Sequence, residues 1–105
     1  MDEHPSNWAA RRLRVLVRLD SELQSARIHV QGTVTPENLQ ALYVVARRTN
    51  ALLGGTAITI DLTSARAEDE ALDRLRTSVS EGRLPASIDP FEQECFLNLL
   101  EPAPQ

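Results

Sequence analysis

Two runs of period-two hydrophobicity flanking a helical stripe set most of what this chain can fold into. Over 26–31, Ile28 and Val30 point to one side and Arg27, His29 and Gln31 to the other. Over 56–62, Ile58, Ile60 and Leu62 alternate against Thr59 and Asp61. Period two with β-branched residues is the signature of a half-buried strand. Between the runs, Leu39, Leu42, Ala46 and Leu53 recur at helical spacing, with Val45 and Leu52 beside them. A strand, a helix and a strand in that order need a crossover, which lays the two strands parallel and adjacent.

The flanking segments extend this unit. Over 12–19, Leu13, Val15, Val17 and Leu19 fall on one face and Arg12, Arg14 and Arg18 on the other. The polar link Asp20-Ser21-Glu22 to Gln24-Ser25 then folds this strand back as an antiparallel hairpin. Arg14 and Arg18 read there as a solvated strand face. Gly32 is expected to break the strand, with Thr35 as N-cap, Pro36 at N1 and Glu37 complementing the positive end of the first helix. Gly54-Gly55 ends it and lacks the lysine and glycine spacing of a phosphate loop. The stretch 63–68 is polar and irregular.

A second helix is expected over 69–81, with Leu72, Leu75 and Val79 on one face and Gly82 as its stop. A short edge strand follows over 83–87, where Pro85 excludes a central position. A third helix opens at Asp89-Pro90-Phe91-Glu92 and buries Phe91, Cys95, Phe96 and Leu99, so Cys95 reads as packing. The expected architecture is a single α/β domain, a four-stranded mixed sheet with about three helices in the order β-β-α-β-α-β-α. It occupies 12–101, after an arm over 1–11 that Trp8 anchors and before a tail over 102–105.

Composition narrows the function. Eleven basic residues, all arginine, face fifteen acidic ones, a net charge of −4 that disfavours nucleic-acid phosphates as partners. One cysteine cannot form an internal disulfide, and no Cys/His cluster has metal-ligand spacing, so neither metal nor cofactor is expected. No apolar run approaches the roughly 20 residues of a membrane span, and the chain reads as cytoplasmic. His4 lies in the arm and His29 on an outward strand face, so no nucleophile, base and orienting group assemble and no enzyme is expected. Asp61, at the C-terminal end of a central parallel strand, is either a ligand contact or a cap for the following loop. Glu68-Asp69-Glu70 either complements a helix dipole or offers an acidic patch to an arginine-bearing protein.

The stretches Ile28-His29-Val30-Gln31-Gly32 and Ile58-Thr59-Ile60-Asp61-Leu62-Thr63, with the acidic helix start at Asp69, resemble the STAS domain. That family is named for sulphate transporters and anti-sigma-factor antagonists. The resemblance implies a non-enzymatic interaction module whose partner is an anti-sigma factor or kinase-like regulator, with transport-linked relatives implying a ligand-binding alternative near Asp61. The family's regulatory Asp-Ser-Ser-Gly motif opens the second helix, where this chain has Asp69-Glu70-Ala71-Leu72. Ala71 at the phosphorylated serine's place has no hydroxyl, so the phosphorylation switch does not carry over. Glu70 beside it holds a permanent charge where a phosphate would bring about −1.5 to −2. The docking surface expected from the resemblance comprises Thr63, Ser64, Asp69, Glu70 and Arg74, with Ala71 as a flat approach between them.

Overall fold

In a computed structural model, residues 13–103 are described apart from 21, 23, 55 and 92. The expected arm with Trp8, the distal tail, Gly55 of the glycine stop and Glu92 of the third-helix cap lie outside the described residues. Among them, five strands and two helices follow in the order β1 (Arg14–Leu19), β2 (Ser25–Val34), α1 (Leu39–Leu53), β3 (Ala57–Asp61), β4 (Ala65–Ala67), α2 (Asp69–Glu81) and β5 (Leu97–Leu100). The sheet runs β1-β2-β3-β5, with β4 also on β2.

The hairpin and the crossover form as their periodicities require. β1 pairs antiparallel with β2, Arg18 opposite Arg27 and Leu16 opposite His29. β3 lies parallel to β2, Ile60 opposite Ile28 and Asp61 opposite His29. The alternation sends Ala26, Ile28, Val30, Ile58 and Ile60 into one core with Leu39, Leu42 and Ala46 of α1 and Ala71 and Leu75 of α2. The opposite face of the sheet, bearing Arg14, Leu16, Arg18 and Arg27, points away from both helices. At the sheet edge the core-side residues of β1 are less covered, so Val17 and Leu19 stay exposed.

Helix α1 starts three residues later than Thr35-Pro36-Glu37 suggests, because these residues form the turn before it. Asn38 rather than Thr35 is the N-cap, with no side-chain cap bond, and the two residues close the preceding turn: Thr35 Oγ1 accepts the Asn38 N–H at 3.2 Å, while Asn38 Oδ1 accepts the Thr35 N–H at 2.8 Å. Gly54 ends the helix with φ +64°, a left-handed conformation that costs glycine nothing. Helix α2 occupies the expected residues and stops at Gly82, φ +69°. Its buried face is Ala71, Leu75 and Ser78 rather than one centred on Leu72, which is half-buried with Val79.

Three expectations fail. Gly32 does not break β2, which runs through it with φ 103° to Val34. Its extension pairs with β4, so β3 and β4 sit one after the other along the same edge of β2. The 83–87 strand reduces to one antiparallel bridge, Arg83 to Glu94. The third helix is absent from the described residues; Leu97–Leu100 pairs parallel with β3 instead. Asp89 accepts the Phe91 and Gln93 N–H groups as an N-cap would, but only a turn follows. Phe91 is 80% and Phe96 51% exposed, whereas Cys95 and Leu97 are buried at period two. The open edge of β3 offers a complete ladder to this segment, and a helix would leave that edge unpaired. Four strands and three helices therefore become five and two.

Candidate functional site

The site is built where β3 ends. Asp61 closes the strand, and the chain turns through Leu62, Thr63 and Ser64 before pairing again at Ala65. Leu62 points into the core, and its N–H bonds Leu100 O at 2.8 Å. The Ala65 N–H bonds Leu62 O at 2.9 Å, which tightens the loop and leaves Thr63 and Ser64 exposed. From Ala67 the Glu68 N–H returns to Val34 O at 2.9 Å and starts α2 beside the loop.

Asp61 is an internal fastener. Its Oδ1 accepts both the Thr63 N–H at 2.9 Å and the Thr63 hydroxyl at 2.6 Å. Its Oδ2 lies 3.3 Å from His29 Nδ1 and 3.6 Å from Arg27 Nη1. The Thr63 hydroxyl and then its N–H hold the carboxyl below the usual carboxylate range, with His29 and Arg27 adding to the effect. Oδ1 thus takes both Thr63 donors, Oδ2 faces the Arg27 guanidinium and the His29 ring, and Asp61 caps the loop. The pattern of each strand alone does not show the pairing with Arg27 and His29. The signal for it is the parallel register, which puts His29 opposite Asp61 and Arg27 two residues back on the same face.

Beside the loop, Glu68, Asp69 and Glu70 are all exposed at the first turn of α2, and no side chain caps it. Glu70 pairs with Arg74 one turn on, so Arg74 neutralises part of the tip and the unpaired carboxylates are those of Glu68 and Asp69. The expected docking residues Thr63, Ser64, Asp69, Glu70 and Arg74 therefore all reach solvent on two adjoining segments. Ala71 does not: it is fully buried against the sheet and offers no surface of approach. Among the described residues, no three His, Cys, Asp or Glu side chains gather as metal ligands do.

A hollow lies between the helices. It has a volume of about 360 Å³ and is lined by residues that include Tyr43, Arg74 and Glu81. At its wall the buried Ser78 hydroxyl meets the Tyr43 hydroxyl at 3.2 Å, and burial pushes the Tyr43 phenol up. That bond ties α2 to α1.

No family model and no curated protein matches the chain. Among solved structures, it is similar to an anti-sigma-factor antagonist STAS domain from Rhodobacter sphaeroides. The two are 12% identical, with a TM-score of 0.54 over 84% of this chain and 85% of that one. The chain has a STAS-like fold. In that fold the loop after β3 and the start of α2 are neighbours because β4 returns the chain to β2 before the helix begins. No described helix is long and apolar enough to cross a membrane.

Proposed function

We propose that this chain is a non-enzymatic protein-interaction module that docks onto an anti-sigma factor or a related kinase-like regulator. The observation that carries the reading is the exposed, partly unpaired acidic tip of α2 set beside the Thr63–Ser64 loop on a STAS-like fold. Glu68 and Asp69 supply charge complementarity to an arginine-bearing partner, Glu70 with Arg74 forms the rim, and Thr63 and Ser64 supply neutral hydrogen-bonding groups. A helix N-terminus tolerates this charge, so binding and folding do not compete there.

The switch differs from the family pattern. With Ala71 in the place of the phosphorylated serine, docking is constitutive and set by the permanent carboxylates. Affinity capture on the native chain and on the Asp69→Arg/Glu70→Arg variant tests this. The native chain should retain a regulator with an ATPase-type kinase domain and the variant should lose it. Equal recovery from both removes the proposed surface.

A further inference from the structure

The sheet face turned away from the helices has an unusual charge. Arg14, Leu16 and Arg18 of β1, Arg27 of β2 and Leu100 of β5 are all exposed on it. Arg18 and Arg27 are direct cross-strand partners, which brings like-charged side chains to Cβ separations of about 4.5–5.5 Å and destabilises the pair. Arg27 has Asp61 at 3.6 Å, but Arg14 and Arg18 have no carboxylate partner among the described residues. The same two arginines, 18 and 27, line a hollow of about 350 Å³ with Thr59. Asp20 on its rim is occupied: it accepts the Glu22 and Gln24 N–H groups and the Ser25 hydroxyl. A chain of net charge −4 thus holds a cationic face on which Asp61 offsets part of the charge of Arg27, while Arg14 and Arg18 stay without a carboxylate partner among the described residues.

We propose that this face is a docking surface for an acidic protein segment, distinct from the tip of α2. One carboxylate of the segment sits between Arg18 and Arg27, a second meets Arg14, and an aliphatic side chain lies on Leu16. The spacing sets the pattern. Residues at i, i+2 and i+4 of a strand share a face and span about 13 Å, at roughly 3.3 Å per residue. An extended acidic-x-aliphatic-x-acidic segment therefore matches Arg14, Leu16 and Arg18 position by position.

Other occupants fit less well. Single-stranded nucleic acid on a sheet is held by stacked aromatic side chains; among the paired residues of β1, β2 and β3 on this face the one ring is His29, which lies 3.3 Å from Asp61, and the exposed Phe96 precedes β5 at the opposite edge of the sheet from β1. A second copy could meet this face through the unpaired Glu68 and Asp69 carboxylates of its α2 tip, with Glu70 already paired to Arg74. Face-to-tip contact of that kind also continues head to tail without closing.

The test is fluorescence anisotropy with a fluorescein-labelled peptide, Gly-Glu-Ser-Leu-Ser-Glu-Gly, and its Glu-to-Lys counterpart. The acidic peptide should bind at least tenfold tighter than the basic one. Arg14→Glu/Arg18→Glu should weaken it at least tenfold, while Asp69→Arg/Glu70→Arg leaves it unchanged within twofold, which separates this surface from the tip. Circular dichroism should show the sheet variant folded; if it is not, Arg14→Gln/Arg18→Gln takes its place in the same comparison. The proposal is overturned if the acidic peptide does not bind or binds the sheet variant equally. It is also overturned if oligothymidylate or phosphatidylserine vesicles bind this face more tightly than the peptide, or if the chain instead self-associates through it.

Discussion

Asp61→Asn isolates what the carboxylate charge does for the loop after β3. The substitution keeps the side-chain volume and an oxygen for Thr63, but both Thr63 bonds lose their ionised acceptor. Bonds to a charged group contribute about 1.5–3 kcal/mol and neutral ones about 0.5–1.5. The carboxylate has little exposed surface yet sits on the sheet's outer face, near water, so the low end applies. The expected loss is about 1 kcal/mol, or roughly 4–8 °C in Tm for a chain of this size.

The pH dependence carries the sign. The folded-state pKa of Asp61 lies below its unfolded value, near 3.9 for a free aspartate. Its contribution is therefore complete above about pH 4 and disappears as pH falls through the lowered folded value. Urea unfolding at pH 7 and pH 3 measures both parts. The native chain should exceed Asp61→Asn at pH 7, and the gap should narrow at pH 3. An equal midpoint at pH 7, or a gap that persists unchanged into acid, refutes the loop-cap assignment.

Other outcomes follow from the core and the sheet. Leu75→Ala, at a fully buried position, should cost about 2–5 kcal/mol in urea unfolding. The half-buried Leu72 should lose clearly less on the same change, and equal losses would mean that α2 faces the sheet differently. Burial, with Asp89 nearby, pushes the Cys95 thiol up to about 11, so labelling by a thiol reagent at pH 7 should track unfolding. Immediate stoichiometric labelling of the native chain contradicts that placement. Arg18→Glu replaces the like-charge pair with Arg27 by an opposite-charge one and should raise the urea midpoint; a lower midpoint would show that the arginines do not repel.

What the sequence made legible tracks how many levels of signal agreed. For β1, β2, α1, β3 and α2, hydrophobic periodicity and the glycine stops of the two helices point the same way, and the expected elements form, although β2 runs past Gly32 and α1 starts after Asn38. The C-terminal third differs because its signals conflict. Phe91, Cys95, Phe96 and Leu99 fit a helical stripe, while Cys95, Leu97 and Leu99 fit a strand equally well. The free edge of β3 decides between them, and that edge exists only once the tertiary structure forms. Likewise Ala65-Arg66-Ala67 has no strand pattern of its own and pairs because β2 continues past β3. Of the site, the exposure of Thr63, Ser64, Asp69, Glu70 and Arg74 was readable from their positions at turns and a helix start. The burial of Ala71 was not, since it depends on which side of α2 meets the sheet.

The succession of β3 and β4 along one edge of β2 bears on how any partner would be met. Residues 62–64 form an arch with both feet fixed to the same strand, and its crown is held by Asp61. Such an arch has little conformational freedom left to surrender at encounter, so complex formation is spared much of the ordering cost that a slack loop would incur. Lengthening it by two glycines would restore that ordering cost and should weaken docking there without touching a single contacting side chain.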